Sequence, residues 1–170
     1  MQTMADQNDF MTDSIGGAAS SSAKPGVLMG IQYVKAVTFQ VVGAPTVYAL
    51  AQERPQIAIM VDVRANQIGE NMPNFEVELV MHCQGQTAPG PNGEEPVRLF
   101  ESKMTYAGIF TLNHSTAETF EPLLLIEAPR MLFPGARNLL VTLSREAGFL
   151  PIVVQQIDFA ELWRNRRAQG

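Results

Sequence analysis

Four stretches of the chain alternate between apolar and polar side chains with a period of two residues. Such alternation, in β-branched and aromatic residues bounded by Gly and Pro, is typical of β-strands. The predicted strands cover residues 31–41, 56–63, 74–83 and 97–112. Because the connections between them carry no helical pattern, we expect antiparallel neighbours. The spacing allows strands that are consecutive in the sequence to pair.

The alternation assigns the residues of each strand to one of two faces. Lys35 interrupts the predicted apolar face of the first strand, which consists of Ile31, Tyr33, Val37, Phe39 and Val41. In the second strand, Asp62 lies opposite an apolar row made of Ile57, Ile59, Val61 and Val63. The third strand is the most regular, with a row made of Phe75, Val77, Leu79 and Met81.

The opposite faces of these strands also carry apolar residues, among them Met60, Val80 and Met104. One layer of helices covers only one side of a sheet, so the other side needs a further subunit or a bound chain. The pattern therefore predicts an oligomer.

After residue 114 the apolar residues recur at helical spacing. A capping box of Ser115 and Glu118 predicts the start of the first helix. A proline lacks the backbone donor and disfavours helix in the residue before it. We therefore expect Pro129 to end that helix and Pro134 to occupy the first turn of the next.

Two further signals mark helix ends near the end of the chain. Gly148 is a predicted left-handed cap, and Asp158 with Glu161 forms a second capping box ahead of Trp163. The order of strands and helices predicts an α+β domain, a four-stranded antiparallel sheet with the helices packed on one face. Residues 1–26 are polar and end in a Gly/Ser-rich stretch. We expect a flexible leader there, followed by a single domain over residues 27–170.

The net charge limits the kinds of partner this protein can bind, and the single cysteine bears on the cellular compartment. With 17 acidic and 12 basic residues the formal net charge is −5, which argues against a nucleic-acid backbone binder. Residues 66–101 carry six acidic residues against Arg98 alone, so a partner of this region should be basic. Cys83 cannot form a disulfide within the chain, and no run of about 18 apolar residues occurs. We expect a cytoplasmic protein that does not insert into membranes.

The sequence carries no pattern typical of catalysis or metal binding. It has no phosphate loop, dinucleotide-binding glycines, paired cysteines or HExxH motif. His82 and Cys83 are adjacent in a strand and should point to opposite faces, and His114 follows in a loop, so no thiolate–imidazole pair or metal site is expected. We expect no enzyme activity, metal or cofactor. Two alternatives stay open: a small-molecule or peptide-binding α+β module, and an enzyme that uses Glu76 and Glu78 as an acid pair.

Residues 128–137, APRMLFPGAR, resemble the Pro-x-x-(Ile/Met/Leu)-Leu-Phe-Pro-x-Ala-Arg segment of the SecB family of protein-export chaperones. Three other stretches resemble the same family: YAGIFTL at residues 106–112, GAP followed by the Val47–Tyr48 step, and FLPIVVQQIDFAELW at residues 149–163. The order of four strands and then helices agrees as well. The likeness covers roughly residues 32–166.

The resemblance implies a homotetrameric holdase, a dimer of dimers, that works without ATP. Such proteins bind long unfolded stretches of precursor proteins in the cytoplasm, keep them competent for translocation and deliver them to the SecA motor. Pro129 would then end an interface-forming helix, and Pro134 would start the long helix beside the client groove. Arg130 and Arg137 would be structural or capping groups.

The resemblance also implies residue roles, at the positions that match. The family's client-binding groove is apolar and aromatic, and the matching positions are Ile59, Val61, Phe75 and Trp163. The family's SecA-facing surface is acidic, whereas the matching positions of this chain are Ala36, Gln40 and Lys103. We therefore expect a different acidic patch for SecA, made of Glu76, Glu78 and Glu101.

Overall fold

The computed structural model describes residues 23–170. The strands are β1 (Gly26–Val41), β2 (Gln56–Gln67), β3 (Asn74–Gln86) and β4 (Arg98–Asn113), with a 3-10 turn at Thr46–Ala49. The helical elements are α1 (Phe120–Pro122), a π-helical segment (Leu123–Glu127), α2 (Ala128–Glu146) and α3 (Phe159–Gln169). The predicted leader, residues 1–26, lies outside the described residues except for its last four, and Gly26 already begins β1.

The strands form one antiparallel sheet in the order β1-β4-β3-β2. The three later strands are joined by hairpins, and residues 42–55 cross over so that β1 lies beside β4, which is a Greek-key order. The prediction that the first two strands pair is therefore wrong, because alternation within a strand does not encode its partner. The crossover makes β2 an edge strand.

The helices cover one face of the sheet, as predicted. The apolar row of β3 lies on this face and is buried throughout. It packs with buried side chains of β4 and the helices, which include Phe100, Phe110, Leu132, Phe133 and Phe159. The α+β prediction is confirmed. We call the uncovered side of the sheet the open face.

Two β-bulges in β1 change the face on which its middle residues lie. Its register with β4 shifts once before Gln32 and once after Val34. Val37 remains on the helix-covered face, but Tyr33 lies on the open face, and Ile31 is 63% exposed. The prediction that Tyr33 and Val37 share a face is wrong. Each bulge inserts one extra residue into β1, which reverses the alternation of faces beyond it.

The helical run is not interrupted at the two prolines. Pro129 lies in the first turn of α2, where a missing backbone donor costs little, so the prediction that it ends the first helix is wrong. Pro134 lies inside α2, so the prediction that it starts a second helix is wrong. On both sides of it, Phe133 and Ala136 are fully buried against the sheet and core. This tertiary packing overrides the local preference of proline.

The two arginines near these prolines make local contacts along α2. Arg130 Nη1 donates to Glu127 Oε1 at 2.7 Å, one turn earlier. The Arg137 guanidinium carbon lies 5.5 Å from the centre of the Phe133 ring. Both contacts fit structural roles.

The first helical turn is preceded by a capping box, one residue away from the predicted one. The backbone N–H of Thr116 donates to Thr119 Oγ1 at 2.8 Å, and that of Thr119 donates to Thr116 Oγ1 at 3.3 Å. Ser115 and Glu118 therefore do not form the box. Since the hydroxyl of Thr119 serves as the second acceptor, the Glu in the expected motif is not required.

The other two helix ends follow the predicted signals. Gly148 has φ +89° and donates its N–H to Arg145, while Phe149 donates to Ser144, the paired bonds of a Schellman motif. At the start of α3, Asp158 Oδ1 accepts the N–H of Glu161 at 3.0 Å. This hydrogen bond holds the pKa of Asp158 below its usual value.

Candidate functional site

The helix-covered face of β2 carries an apolar row that the helices cover only in part. The row consists of Ile57, Ile59, Val61, Val63 and Ala65. Val63 is buried, whereas the other four are half-buried. Because β2 is an edge strand, the row borders open space along one side. We call this surface, from Ile57 to Ala65, the β2 groove.

Three cavities follow one another along the β2 groove. The first, of about 490 Å³, reaches Ala65, and the second, of about 280 Å³, reaches Val61. Leu125 and Trp163 border both, so the two are adjacent. The third, also of about 490 Å³, lies at Ile57 beside the connection from α2 to α3. At about 3.3 Å per residue the whole row spans roughly 26 Å, which accommodates an extended segment of about eight residues.

Aromatic side chains build the Ala65 end of the groove, which we call the aromatic end. Phe75 of β3 is only 5% exposed, and its ring packs edge-on against Phe120 at 5.2 Å. Phe120 is 39% exposed and presents the surface that Phe75 supports. Trp163 of α3 lines the same cavity, and among the described residues its buried indole Nε1 has no hydrogen-bond partner.

Charged residues form the rim of the aromatic end, namely Arg64, Glu121, Arg166 and Arg167. Arg166 Nη1 donates to Asp62 Oδ1 at 3.1 Å and to the Val63 carbonyl at 2.7 Å, which ties α3 to the edge of β2. The Arg167 guanidinium carbon lies 5.0 Å from the centre of the Trp163 ring, within cation–π distance. The aromatic end therefore has an apolar floor and an arginine-rich rim.

The four groove residues expected from the sequence, Ile59, Val61, Phe75 and Trp163, all border these cavities. Phe120 and Leu125 also line the groove but are absent from the sequence prediction. The sequence signal for these two residues is the helical spacing of apolar positions in residues 120–126. This spacing identifies apolar positions but does not show which side of the helix faces β2.

The open face carries a network of charged and polar side chains. Lys35 Nζ donates to Glu76 Oε2 at 2.8 Å and also to Glu78 Oε1, and the Tyr33 hydroxyl donates to Glu76 Oε1 at 2.5 Å. The Lys35 bond, and then the Tyr33 bond, lower the pKa of Glu76, while the bonds to both carboxylates raise that of Lys35. Glu76 is thus held ionised, which does not suit a general acid.

Acid is expected to weaken this network. The folded pKa of Glu76 is lowered from its ordinary 4.5, so its contribution to stability is present above pH 4.5 and is lost as the pH falls through the lowered value. Glu76→Gln should remove this part of the pH dependence, as measured by urea denaturation at a series of pH values. Glu95→Gln, in the β3–β4 loop, is the matched control. A Glu76→Gln curve as steep in acid as that of the parent would contradict the assignment.

Glu101 lies on the open face at the far end of the sheet. Its Oε1 is 2.6 Å from His82 Nε2, and this bond lowers the pKa of Glu101. Glu78 lies opposite Ala107, six residues along β4 from Glu101, or roughly 20 Å. The structure therefore brings Glu76 and Glu78 together but not Glu101. The same face carries the positions that depart from the SecB acidic pattern, Ala36, Gln40 and Lys103.

His82 and Cys83 lie on opposite sides of β3, as predicted. Cys83 is 1% exposed, and burial raises the pKa of its thiol to about 12, which keeps it protonated near pH 7. Within residues 23–170, no group of three or more His, Cys, Asp or Glu side chains is arranged to hold a metal ion. In the same range, no helix is both long enough and apolar enough to span a membrane.

Comparison with known proteins gives one consistent family. The model of the family described as preprotein translocase subunit SecB matches residues 20–170. Protein-export protein SecB of Granulibacter bethesdensis is 38% identical over 164 residues, covering 96% of this chain and 94% of that protein. Protein-export protein SecB 1 of Gluconobacter oxydans is 37% identical over 142 residues, covering 83% and 82%.

A solved structure shares the fold. It is that of a SecB-like chaperone of Mycobacterium tuberculosis in complex with a ChAD peptide from the HigA1 antitoxin. The TM-score is 0.61 at 12% sequence identity, covering 78% of this chain and 91% of that one. The family match and the relatives span nearly the whole sequence, and they confirm the resemblance carried by APRMLFPGAR. This chain belongs to the SecB family of protein-export chaperones.

Proposed function

We propose that this protein binds unfolded stretches of precursor proteins in the β2 groove, keeps them competent for export and delivers them to the SecA motor. The observation that supports this is the half-buried apolar row of roughly 26 Å along an open sheet edge. A site for a small molecule would enclose most of its ligand. An open groove suits an extended chain.

The groove selects unfolded chains through exposed apolar length. Each apolar side chain that a client buries contributes about 1.5–3 kcal/mol without directional requirements, so many sequences can bind. A folded protein has already buried such groups. Selection therefore needs no sequence motif, and the residues that provide the surface are Ile59, Val61, Phe75 and Trp163.

The edge of β2 offers backbone contacts as well. Edge strands present N–H and C=O groups without strand partners, and an extended peptide pairs with them in β-augmentation. Arg166 already occupies the carbonyl of Val63. A client strand can therefore pair with the part of β2 that precedes Val63, next to the cavity at Ile57.

We further propose that the protein is a cytoplasmic homotetramer, a dimer of dimers. Exposed apolar side chains support assembly, since Met60 of β2 is 64% exposed and Leu28 near the start of β1 is 61% exposed. Four subunits also bring four grooves together. Several weak sites on one long client raise the overall affinity through effective concentration.

Delivery to SecA is proposed to use the carboxylates of the open face, and opposite changes in charge test this. Glu76→Gln with Glu78→Gln should weaken SecA binding about fivefold, whereas Lys35→Gln should strengthen it about twofold, equivalent to about 1 and about 0.4 kcal/mol. Both carboxylates are only slightly exposed, with 18% of the Glu76 side chain and 11% of the Glu78 side chain accessible. The same titrations should show a smaller effect for Glu101→Gln, which lies at the other end of the face.

Surface plasmon resonance at two salt concentrations would measure these affinities. Mass analysis of each variant must give the parent oligomer, so that a lost assembly is not mistaken for a lost contact. Equal affinities of the parent, Lys35→Gln and the double variant would rule out the proposed patch.

The experiment that tests the chaperone function is calorimetric titration with a slow-folding precursor, held unfolded in one arm and folded in the other. Mass analysis of the free protein is done in parallel. We expect tight binding of the unfolded form only, with one precursor chain per four subunits. Equal binding of both forms, or binding by a monomer, would contradict the proposal.

A further inference from the structure

A short segment of the leader has the chemistry of a ligand for the aromatic end of the β2 groove. Residues 9–13 read DFMTD, so two adjacent apolar side chains, Phe10 and Met11, lie between Asp9 and Asp13. Residues 1–22, which lie outside the described part of the chain, contain three aspartates and neither lysine nor arginine. The segment is thus apolar at its centre and negative on both sides.

The aromatic end offers the complementary surface. Its floor is the apolar group around Phe120 and Trp163, and its rim carries Arg64, Arg166 and Arg167. Asp62 is shared between two of these arginines, at 3.2 Å from Arg64 Nε and 3.1 Å from Arg166 Nη1. Arg167 lies on the Trp163 ring instead. With Glu121 as the acidic member of the rim, an excess of positive charge remains for a carboxylate ligand.

The start of β1 lies at the correct end of the sheet for this contact. Gly26 pairs with Asn113 at the end of β4, and Leu112 donates its N–H to the carbonyl of Pro73, next to the start of β3. Phe75, which borders the aromatic end, is therefore two strands across from the start of β1 and three residues along the strand, or roughly 14 Å away. Residues 14–25, between this segment and β1, span up to about 40 Å when extended, so the DFMTD segment can reach the groove.

We propose that residues 9–13 dock in the aromatic end of the chain's own β2 groove, with Phe10 and Met11 on its floor and Asp9 and Asp13 toward its arginines. The docked leader competes with unfolded clients, a consequence that rests on the client binding proposed above. When a competitor occupies the site, the apparent client affinity equals the intrinsic affinity multiplied by the fraction of grooves that are free. Only clients with several apolar segments then displace it.

Trp163, the one tryptophan of the sequence, reports on the docking directly. In the full chain, Phe10→Ser with Met11→Ser should raise acrylamide quenching of its fluorescence about twofold, because the floor of the groove becomes accessible. Met4→Ser with Ile15→Ser is the matched control, since it removes two apolar leader residues outside DFMTD. Sodium chloride at about 1 M should move the parent toward the double variant, because it screens the contacts between aspartate and arginine.

Client affinity is measured on the same proteins by calorimetry with reduced and carboxymethylated ribonuclease, a chain that cannot fold. The Phe10→Ser, Met11→Ser variant should bind it about three- to tenfold more tightly than the parent, as expected if the leader occupies most grooves. The control variant should match the parent in both measurements.

The outcomes separate this proposal from the proposed function. Equal quenching of parent and double variant would overturn the docking, whatever the client affinities. A quenching difference without client binding by either protein would support the docking and contradict the chaperone function. If protection of Trp163 against acrylamide disappears on dilution, a second copy of the chain occupies the groove instead. This result also overturns the proposal.

Discussion

Phe100→Ala is expected to lower the free energy of unfolding by about 3–5 kcal/mol, the usual range for a buried phenylalanine. Phe100 is fully buried, and its ring lies 4.8 Å from Phe39 of β1 and 5.2 Å from Phe149, just after α2. It therefore joins the sheet to the connection that leads to α3. Urea denaturation at one fixed protein concentration measures the loss, since the stability of the proposed oligomer would depend on concentration.

Gly85→Ala tests the packing of the Phe100 ring by adding a methyl group next to it. A Cβ atom at Gly85 would lie 2.1 Å from a ring carbon of Phe100, so the ring must move. We expect a loss of about 1–3 kcal/mol, typical of overpacking. Phe120→Ala is the control, because Phe120 is 39% exposed and should cost less than Phe100. A loss below 1 kcal/mol for Phe100→Ala would show that this aromatic cluster is not central to stability.

Trp163→Ala is expected to weaken binding of an unfolded client about 30-fold, the equivalent of about 2 kcal/mol for an aromatic hot spot. Trp163 borders two adjacent cavities of the β2 groove, so its removal takes apolar surface from each. Calorimetry with an unfolded precursor measures the effect. The proposed leader docking would also be lost in this variant, so the measured change would be the net of both.

Trp163→Phe provides the matched control for this result. It keeps an aromatic ring at the position but removes the indole N–H, which has no partner among the described residues. Affinity within about threefold of the parent is expected, because apolar area rather than hydrogen bonding dominates the contact. Circular dichroism should be unchanged for both variants. If Trp163→Ala binds the client within twofold of the parent, the client surface lies elsewhere.

Local signals predict the parts of this fold that depend on neighbouring residues in the sequence. The alternation in β3 gives its buried face, and Gly148 and Asp158 mark helix ends correctly. Pro134 does not mark the start of a helix, because burial of the residues around it outweighs the local cost of a proline inside α2.

The parts that fail depend on distant partners. Tyr33 lies on the open face because bulges in β1 depend on pairing with β4, and its contact with Glu76 joins residues 43 positions apart. The groove residues Ile59 and Val61 share a face by alternation alone. That this face borders an open edge depends on the crossover, which no local pattern of polarity encodes. For the same reason Lys35 was not predicted to lie between Glu76 and Glu78.

The period of β2 has a consequence for how a bound chain is held. Equivalent positions of its apolar row recur every two residues, or about 6.6 Å, so an extended client that shifts by two residues meets the same kind of surface. Several registers are then nearly equal in energy. Four such registers add about 0.8 kcal/mol of statistical entropy without any new contact. The same degeneracy lets the chain leave in small steps from one end, so that removing it does not require all contacts to break at once.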